Sequence, residues 1–290
     1  MRRCLREPRD LGVVMQIDAH QHFWHYDPVR DSWITDEMSV LKRDFLPDDL
    51  KPLLDAQGVE GTVVVQADQS EDETHFLLRL ADSHPFIQGV VGWVDLLAPA
   101  LEERLEHFSQ FGRLCGVRHI AQAEADDYLA REDVARGIGL LSDFGLTYDI
   151  LVYPQQLPAA LSLVEKLPDS PFVVDHLAKP LIRPGETEPW ASHMKELAQN
   201  PNVWCKVSGL VTEADWRQWR QEDMRPYLDV VFEAFGLDRL MFGSDWPVCL
   251  LAASYQEVWD LISGYASQLP APERDGLFGG NAANFYGLAV

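Results

Sequence analysis

Hydrophobic and polar positions along the chain follow a repeated beat. A short run rich in Val and Ile ends in one or two polar residues and is followed by a longer stretch with helical spacing. The beat starts at Met15 and occurs eight times. Its strand-like runs are 15–22 (MQIDAHQH), 61–67 (GTVVVQA), 86–95 (FIQGVVGWVD), 114–121 (LCGVRHIA), 146–152 (LTYDILV), 171–177 (PFVVDHL), 202–209 (NVWCKVSG) and 239–247 (RLMFGSDWP). Most are too short for helices and rich in β-branched residues. Between them, 72–84 sets Phe76, Leu77, Leu80 and Ala81 on one helical stripe, and similar stripes fall in 99–111 and 155–167. Strands alternating with helices pair in parallel through right-handed crossovers, and eight such units favour a closed barrel over an open sheet. The pattern predicts an α/β fold: a single (β/α)₈ TIM-type barrel, regular or distorted, spanning 15–290. No GxGxxG opens the first unit, which counts against a doubly wound sheet.

A length of 290 residues suits one such barrel, and no linker or low-complexity tract divides it. Residues 1–14 read as a disordered arm with no assigned function. The net charge of −22 repels nucleic acid and anionic membranes, so the expected partner is a small molecule, with the protein a monomer or homodimer. No apolar run approaches the ~20 residues of a membrane span, and the basic start lacks the long apolar stretch of a secretion signal. The four cysteines are scattered, with no CxxC pair, as expected of reduced cytoplasmic thiols.

A barrel assembles its site at the C-terminal ends of its strands, so polar residues ending apolar runs are the candidates for chemistry. Run one ends in His20 and His22, two residues apart and so on one face of a strand, a spacing that lets both imidazoles bind one zinc-like ion. Run six ends in His176 and run eight in Asp245. Each has a plainer reading: HxH arises by chance, a buried His is usually a core residue, and an Asp after a strand often caps the next helix. Together at three strand ends, they outweigh those readings. Arg118 and His119 end run four. Lys206 stands inside run seven of a chain with only six Lys, aimed either at a substrate or into an ion pair with a rim acid. Gln66, Asp68, Trp93, Asp95, Gln122 and Asp149, with the aromatics Trp24, Trp33 and Tyr153, suit a hydroxyl-rich ligand.

The segments IDAHQHFW (17–24), GVRHIAQ (116–122), VVDHLAKP (173–180), LMFGSDWPV (240–248) and GNAANFYGL (280–288) resemble the amidohydrolase superfamily, in its amidohydrolase-2 branch. Within it the chain is most similar to sugar-lactone hydrolases of the L-fuconolactonase and L-rhamnonolactonase kind. The resemblance implies a hydrolase that opens an aldonolactone to the free sugar acid. It assigns His20, His22, His176 and Asp245 to one divalent, zinc-like ion, which some lactonases of the branch do without. Run five carries Thr147-Tyr148-Asp149 and no His, so a second ion lacks its ligand. In the expected reaction Asp245 is general base on water, and His176 or the ion polarises the carbonyl. Arg118 or His119 steadies the oxyanion, and Gln66, Trp93, Asp149, Lys206 and Trp24 bind substrate. Three alternatives share these residues: a metal-dependent decarboxylase, a pyrone-dicarboxylate lactonase and a silent sugar-binding barrel. The pyrone would need several Arg at the rim, where only Arg118 and Arg183 can be placed.

Overall fold

Eight strands form where the Val- and Ile-rich runs predict them, each shorter than its run and lying within it. The computed structural model describes residues 15–289, so the expected arm at 1–14 lies outside the described residues. The strands are β1 (Ile17–Gln21), β2 (Gly61–Val65), β3 (Ile87–Gly92), β4 (Leu114–His119), β5 (Thr147–Ile150), β6 (Phe172–Val174), β7 (Val203–Val207) and β8 (Leu240–Phe242). All neighbours pair in parallel in the order β1 to β8. Past the last strand, Asp245 N donates to His20 O at 2.8 Å and His22 N to Trp246 O at 2.7 Å, which draws β8 against β1 and closes the barrel.

Helices cross between the strands: α1 (Pro47–Gln57), α2 (Glu71–Ser83), α3 (Leu101–Phe108), α4 (Glu132–Leu140), α5 (Leu157–Lys166), α6 (Trp190–Ala198), the single turn α7 (Leu210–Glu213), α8 (Gln221–Phe235) and α9 (Tyr255–Ala266). The short α10 (Ala271–Asp275) and α11 (Asn281–Tyr286) finish the chain at the barrel's closed end. Local sequence explains their starts. Ser70 Oγ accepts from Glu73 N to cap α2, and Ser254 with Glu257 forms a reciprocal capping box on α9. The α2 stripe lies slightly off the expected one: Thr74, Leu77, Leu78 and Ala81 are buried, whereas Phe76 and Leu80 pack at its edge. No helix among the described residues is long and apolar enough to cross a membrane.

The main apolar layer lies between strands and helices, with Val64, Val90, Val117, Ile150 and Phe242 among its strand members. A second cluster joins Ile17, Ala19, Val63, Val65, Val91, Val173 and Met241 with Ala282 and Tyr286 of α11. Strand residues thus alternate between the two, as a barrel requires. Cys115, Cys205 and Cys249 are buried and free.

Candidate active site

Strict alternation along β1 would follow inward Ile17 and Ala19 with an outward residue 20. A register shift between Asp18 and Gln21 breaks the alternation, and His20 turns inward to meet His22. Their Nε2 atoms stand 3.2 Å apart. Gly243 of the segment after β8 makes room, since a side chain there would strike His20 Cβ.

His176 arrives by a different device. After β6 the residues His176, Leu177, Ala178 and Lys179 all have positive φ, between 49° and 56°, one turn of left-handed backbone that non-glycine residues rarely adopt. Packing holds it: Trp190 Nε1 donates to Leu177 O at 2.6 Å, Lys179 N donates to His176 O at 2.7 Å, and Gly209 lies flat against the imidazole. Asp245 is also left-handed, at φ 58°. Its carboxylate faces the histidines rather than capping a helix, with Oδ1 at 3.4 Å from His22 Nε2, 3.8 Å from His176 Nε2 and 3.9 Å from His20 Nε2.

The Asp245 carboxylate therefore faces three imidazole nitrogens, with His22 Nε2 beside His20 Nε2. Ligands about 2.0–2.1 Å from a tetrahedral ion sit roughly 3.3 Å from one another, close to the 3.2–3.9 Å edges seen here. His20, His176 and Asp245 also place their ligand atoms within 4.8 Å of one another. His22 Nδ1 lies 2.7 Å from Val65 O; a carbonyl only accepts, so Nδ1 carries a proton, and this bond aims Nε2 at Asp245. Burial pushes His20 and His176 well below the ordinary imidazole range, the state a ligand needs. Burial opposes ionisation of Asp245, but His176 and His22 outweigh it and hold the carboxyl below its ordinary value. The donor set fits one divalent ion.

Above this floor opens a cavity of about 610 Å³. Its wall includes Trp24, Trp33, Tyr153 and Trp216, the polar Gln69, Gln122 and Thr212, and the charged Arg118, Lys179 and Glu213. A family model for amidohydrolases matches residues 17–288, all of the barrel. The chain belongs to the amidohydrolase family. This amidohydrolase is 46% identical over 287 residues to an L-fucono-1,5-lactonase of Burkholderia multivorans, covering 95% of this chain and 97% of the relative. It is 38% identical over 283 residues to an L-fucono-1,5-lactonase of Burkholderia ambifaria, covering 94% and 96%. A crystal structure of a Burkholderia multivorans amidohydrolase with bound zinc matches at TM-score 0.91 and 46% identity, covering 94% of this chain and 99% of that one.

The amidohydrolase brings only some of the remaining candidates to the cavity. Arg118, Trp24, Trp33, Gln122 and Tyr153 line it. Arg118 is fixed, with Nη1 donating to Asp175 Oδ2 at 3.1 Å and Nη2 to Gln66 O. Its neighbour His119 points the other way, stacked on Tyr128, with Nδ1 accepting from Trp93 Nε1 and Nε2 against Glu124. Trp93 and His119 thus hold each other away from the cavity wall. Gln66 is buried below, its amide donating to Arg118 O at 3.1 Å. Asp68 and Asp95 serve loop turns, accepting from Ser70 Oγ and Leu97 N. Arg183 lines a separate surface hollow.

Asp149 and Lys206 lie beneath the floor, fully buried, and resolve as the ion-pair alternative. Lys206 Nζ stands 2.6 Å from Asp149 Oδ2 and 3.0 Å from Asp175 Oδ1, with His20 Nδ1 also at 3.0 Å. Burial favours a neutral amine, yet the two carboxylates prevail and keep Lys206 protonated. Tyr286 donates to Asp149 from below at 2.8 Å. Asp175, next to His176, is the residue that the reading of the sequence passed over. It joins Arg118, Lys206 and His20 in one network, and its position at the end of an apolar run was the available signal. Lys179, Glu213 and Trp216 carried no such signal, because the β6 and β7 loops that present them lack periodicity.

Proposed function

We propose that this amidohydrolase is a sugar lactonase, hydrolysing the ring ester of an aldonolactone such as L-fucono-1,5-lactone to the free acid. One observation carries the reading. Asp245 Oδ1 lies 3.4–3.9 Å from three imidazole nitrogens on the floor of an open cavity, in a chain 46% identical to an L-fucono-1,5-lactonase. The wall suits a neutral polyol: its indole and phenol rings offer flat faces to sugar C–H groups, and Gln122 Nε2 has no protein partner among the described residues. Among the described residues, Arg118 and Lys179 are the only Lys or Arg in the wall, too few to match a pyrone dicarboxylate.

A zinc-like ion held by His20, His22, His176 and Asp245 would acidify water and polarise the ester carbonyl. The chain's own groups supply the rest. Asp245 takes the proton of the attacking water as oxygen adds to the carbonyl carbon. The negative charge that develops on the carbonyl oxygen is met by Arg118, held rigid by Asp175 and the Gln66 carbonyl. The bond from carbonyl carbon to ring oxygen then breaks, Asp245 returns its proton to that oxygen, and the new carboxylic acid loses a proton to solvent. Asp175 and Lys206 position His20 from behind. Free buried cysteines suit a reducing compartment, and we place the enzyme in the cytoplasm.

The test is a pH-indicator assay on L-fucono-1,5-lactone and other aldonolactones, corrected for spontaneous opening. Turnover by the wild type, reduced about 10²–10⁴-fold in Asp245→Asn, is expected. A wild type that opens no aldonolactone above background refutes the reading.

A further inference from the structure

The proposed reaction changes the ligand's charge from zero to minus one inside the cavity, so the cavity must accept a neutral molecule and shed an anion. Lys179 and Glu213 sit where that change would be felt. Their Nζ–Oε1 distance is 3.0 Å, and among the described residues theirs is the Lys or Arg ion pair with both partners in the cavity wall. Both remain part-exposed, at 17% and 21%. Arg118, the other cation, is 3% exposed and already bonded to Asp175 and the Gln66 carbonyl. Lys179 Nζ has one protein partner among the described residues, leaving two of its three N–H donors for a ligand.

The pair is built on the two loops that set the reacting centre. Lys179 ends the left-handed turn that begins at His176. Glu213 ends α7, which follows Ser208 and Gly209, the residues touching the His176 ring, and its carbonyl accepts from Arg183 N at 3.1 Å. The cation therefore stands in the wall of the same cavity as His176 and Asp245, and its partner carboxylate is tethered beside it.

We propose that Lys179 receives the carboxylate formed on ring opening and that Glu213, by competing for the same ammonium and repelling the anion, drives the sugar acid out. The pair makes the cavity selective for neutral lactone over anionic product. This rests on the lactonase reading and adds a role for two residues that do not touch the scissile bond.

The test measures binding of the sodium salt of L-fuconic acid by calorimetry, with neutral L-fucitol as control, to the wild type, Glu213→Gln and Lys179→Met. Glu213→Gln is expected to bind the anion about tenfold more tightly and to show a matching fall in the product inhibition constant, while Lys179→Met binds it about tenfold more weakly. L-Fucitol affinity should shift by less than about threefold in both. Thermal unfolding identifies a misfolded variant, and in that case Glu213→Ala or Lys179→Gln takes its place. Anion affinity that stays within about twofold of wild type in either well-folded variant overturns the proposal. A wild type that opens no sugar lactone overturns the reaction instead, whereas turnover with charge-blind binding overturns the ion-pair role alone.

Discussion

Gly209→Ala puts the architecture of the site to a quantitative test. Gly209 has φ +64°, and a Cβ built on it would lie 2.6 Å from His176 Nδ1, 2.7 Å from Cγ and 2.8 Å from Cβ. Two costs add. A left-handed non-glycine residue costs roughly 1–2 kcal/mol, and overfilling a packed site costs about 1–3 kcal/mol. The imidazole must retreat, losing its 2.8 Å contact with Ser208 Oγ and its place beside Asp245. We expect a loss of about 2–5 kcal/mol in urea unfolding and a fall in kcat toward L-fucono-1,5-lactone of about 10²-fold, as for ångström-scale misplacement of a reacting group. Gly145→Ala is the control: φ there is +70° with no atom within 4 Å, so only the conformational cost applies and turnover should hold. Equal losses of stability in the two variants, or full activity in Gly209→Ala, would refute the claim that this glycine exists to seat His176.

Three further expectations follow from the buried charges and the ligand set. Zinc titrated into chelated protein should fill a single site by calorimetry, with His20→Asn abolishing binding; two equivalents would contradict the ligand set. Lys206→Met leaves Asp149 and Asp175 buried without their ammonium and should cost about 3–5 kcal/mol, partly recovered by adding Asp149→Asn; an unshifted Tm would show the network to be idle. Burial raises Glu73 from its ordinary 4.5 to about 7, although its Oε1 accepts from Ala67 N at 2.5 Å and Asp68 N at 2.9 Å. The folded protein then holds a proton at Glu73 that the unfolded chain has lost, so the contribution of Glu73 to stability should fall as pH rises from about 4.5 to about 7, by an amount on the order of 3 kcal/mol, and level off above. Glu73→Gln keeps an acceptor for both amides, and its unfolding free energy should fall less steeply than that of the wild type across that window; an unchanged slope would assign the effect to another group.

Much of this molecule was legible along the chain. Eight strands fell within the eight predicted runs, because burial on both faces of a parallel strand leaves a short Val- and Ile-rich signature that needs no partner to be recognised. That His20, His22, His176 and Asp245 would meet was legible for a related reason: polar groups that end apolar strands have few places to point in a barrel. Direction was not legible. Whether residue 20 faces in or out depends on a register shift set by pairing with β2. Arg118 reaches the cavity while His119, one residue on, packs against Tyr128. Lys206 proved to be a partner of Asp149 and Asp175 beneath the floor because strands 5, 6 and 7 are neighbours in the barrel, a proximity without trace in local periodicity. The left-handed turn from His176 to Lys179 is disfavoured by every local preference of its residues and exists because Gly209 and Trp190 pack against it. Sequence alone determined which elements form and which polar side chains end the apolar strands, since both follow from the residue and its near neighbours; only the tertiary structure decided where those side chains point, since that follows from contacts between segments far apart in the chain.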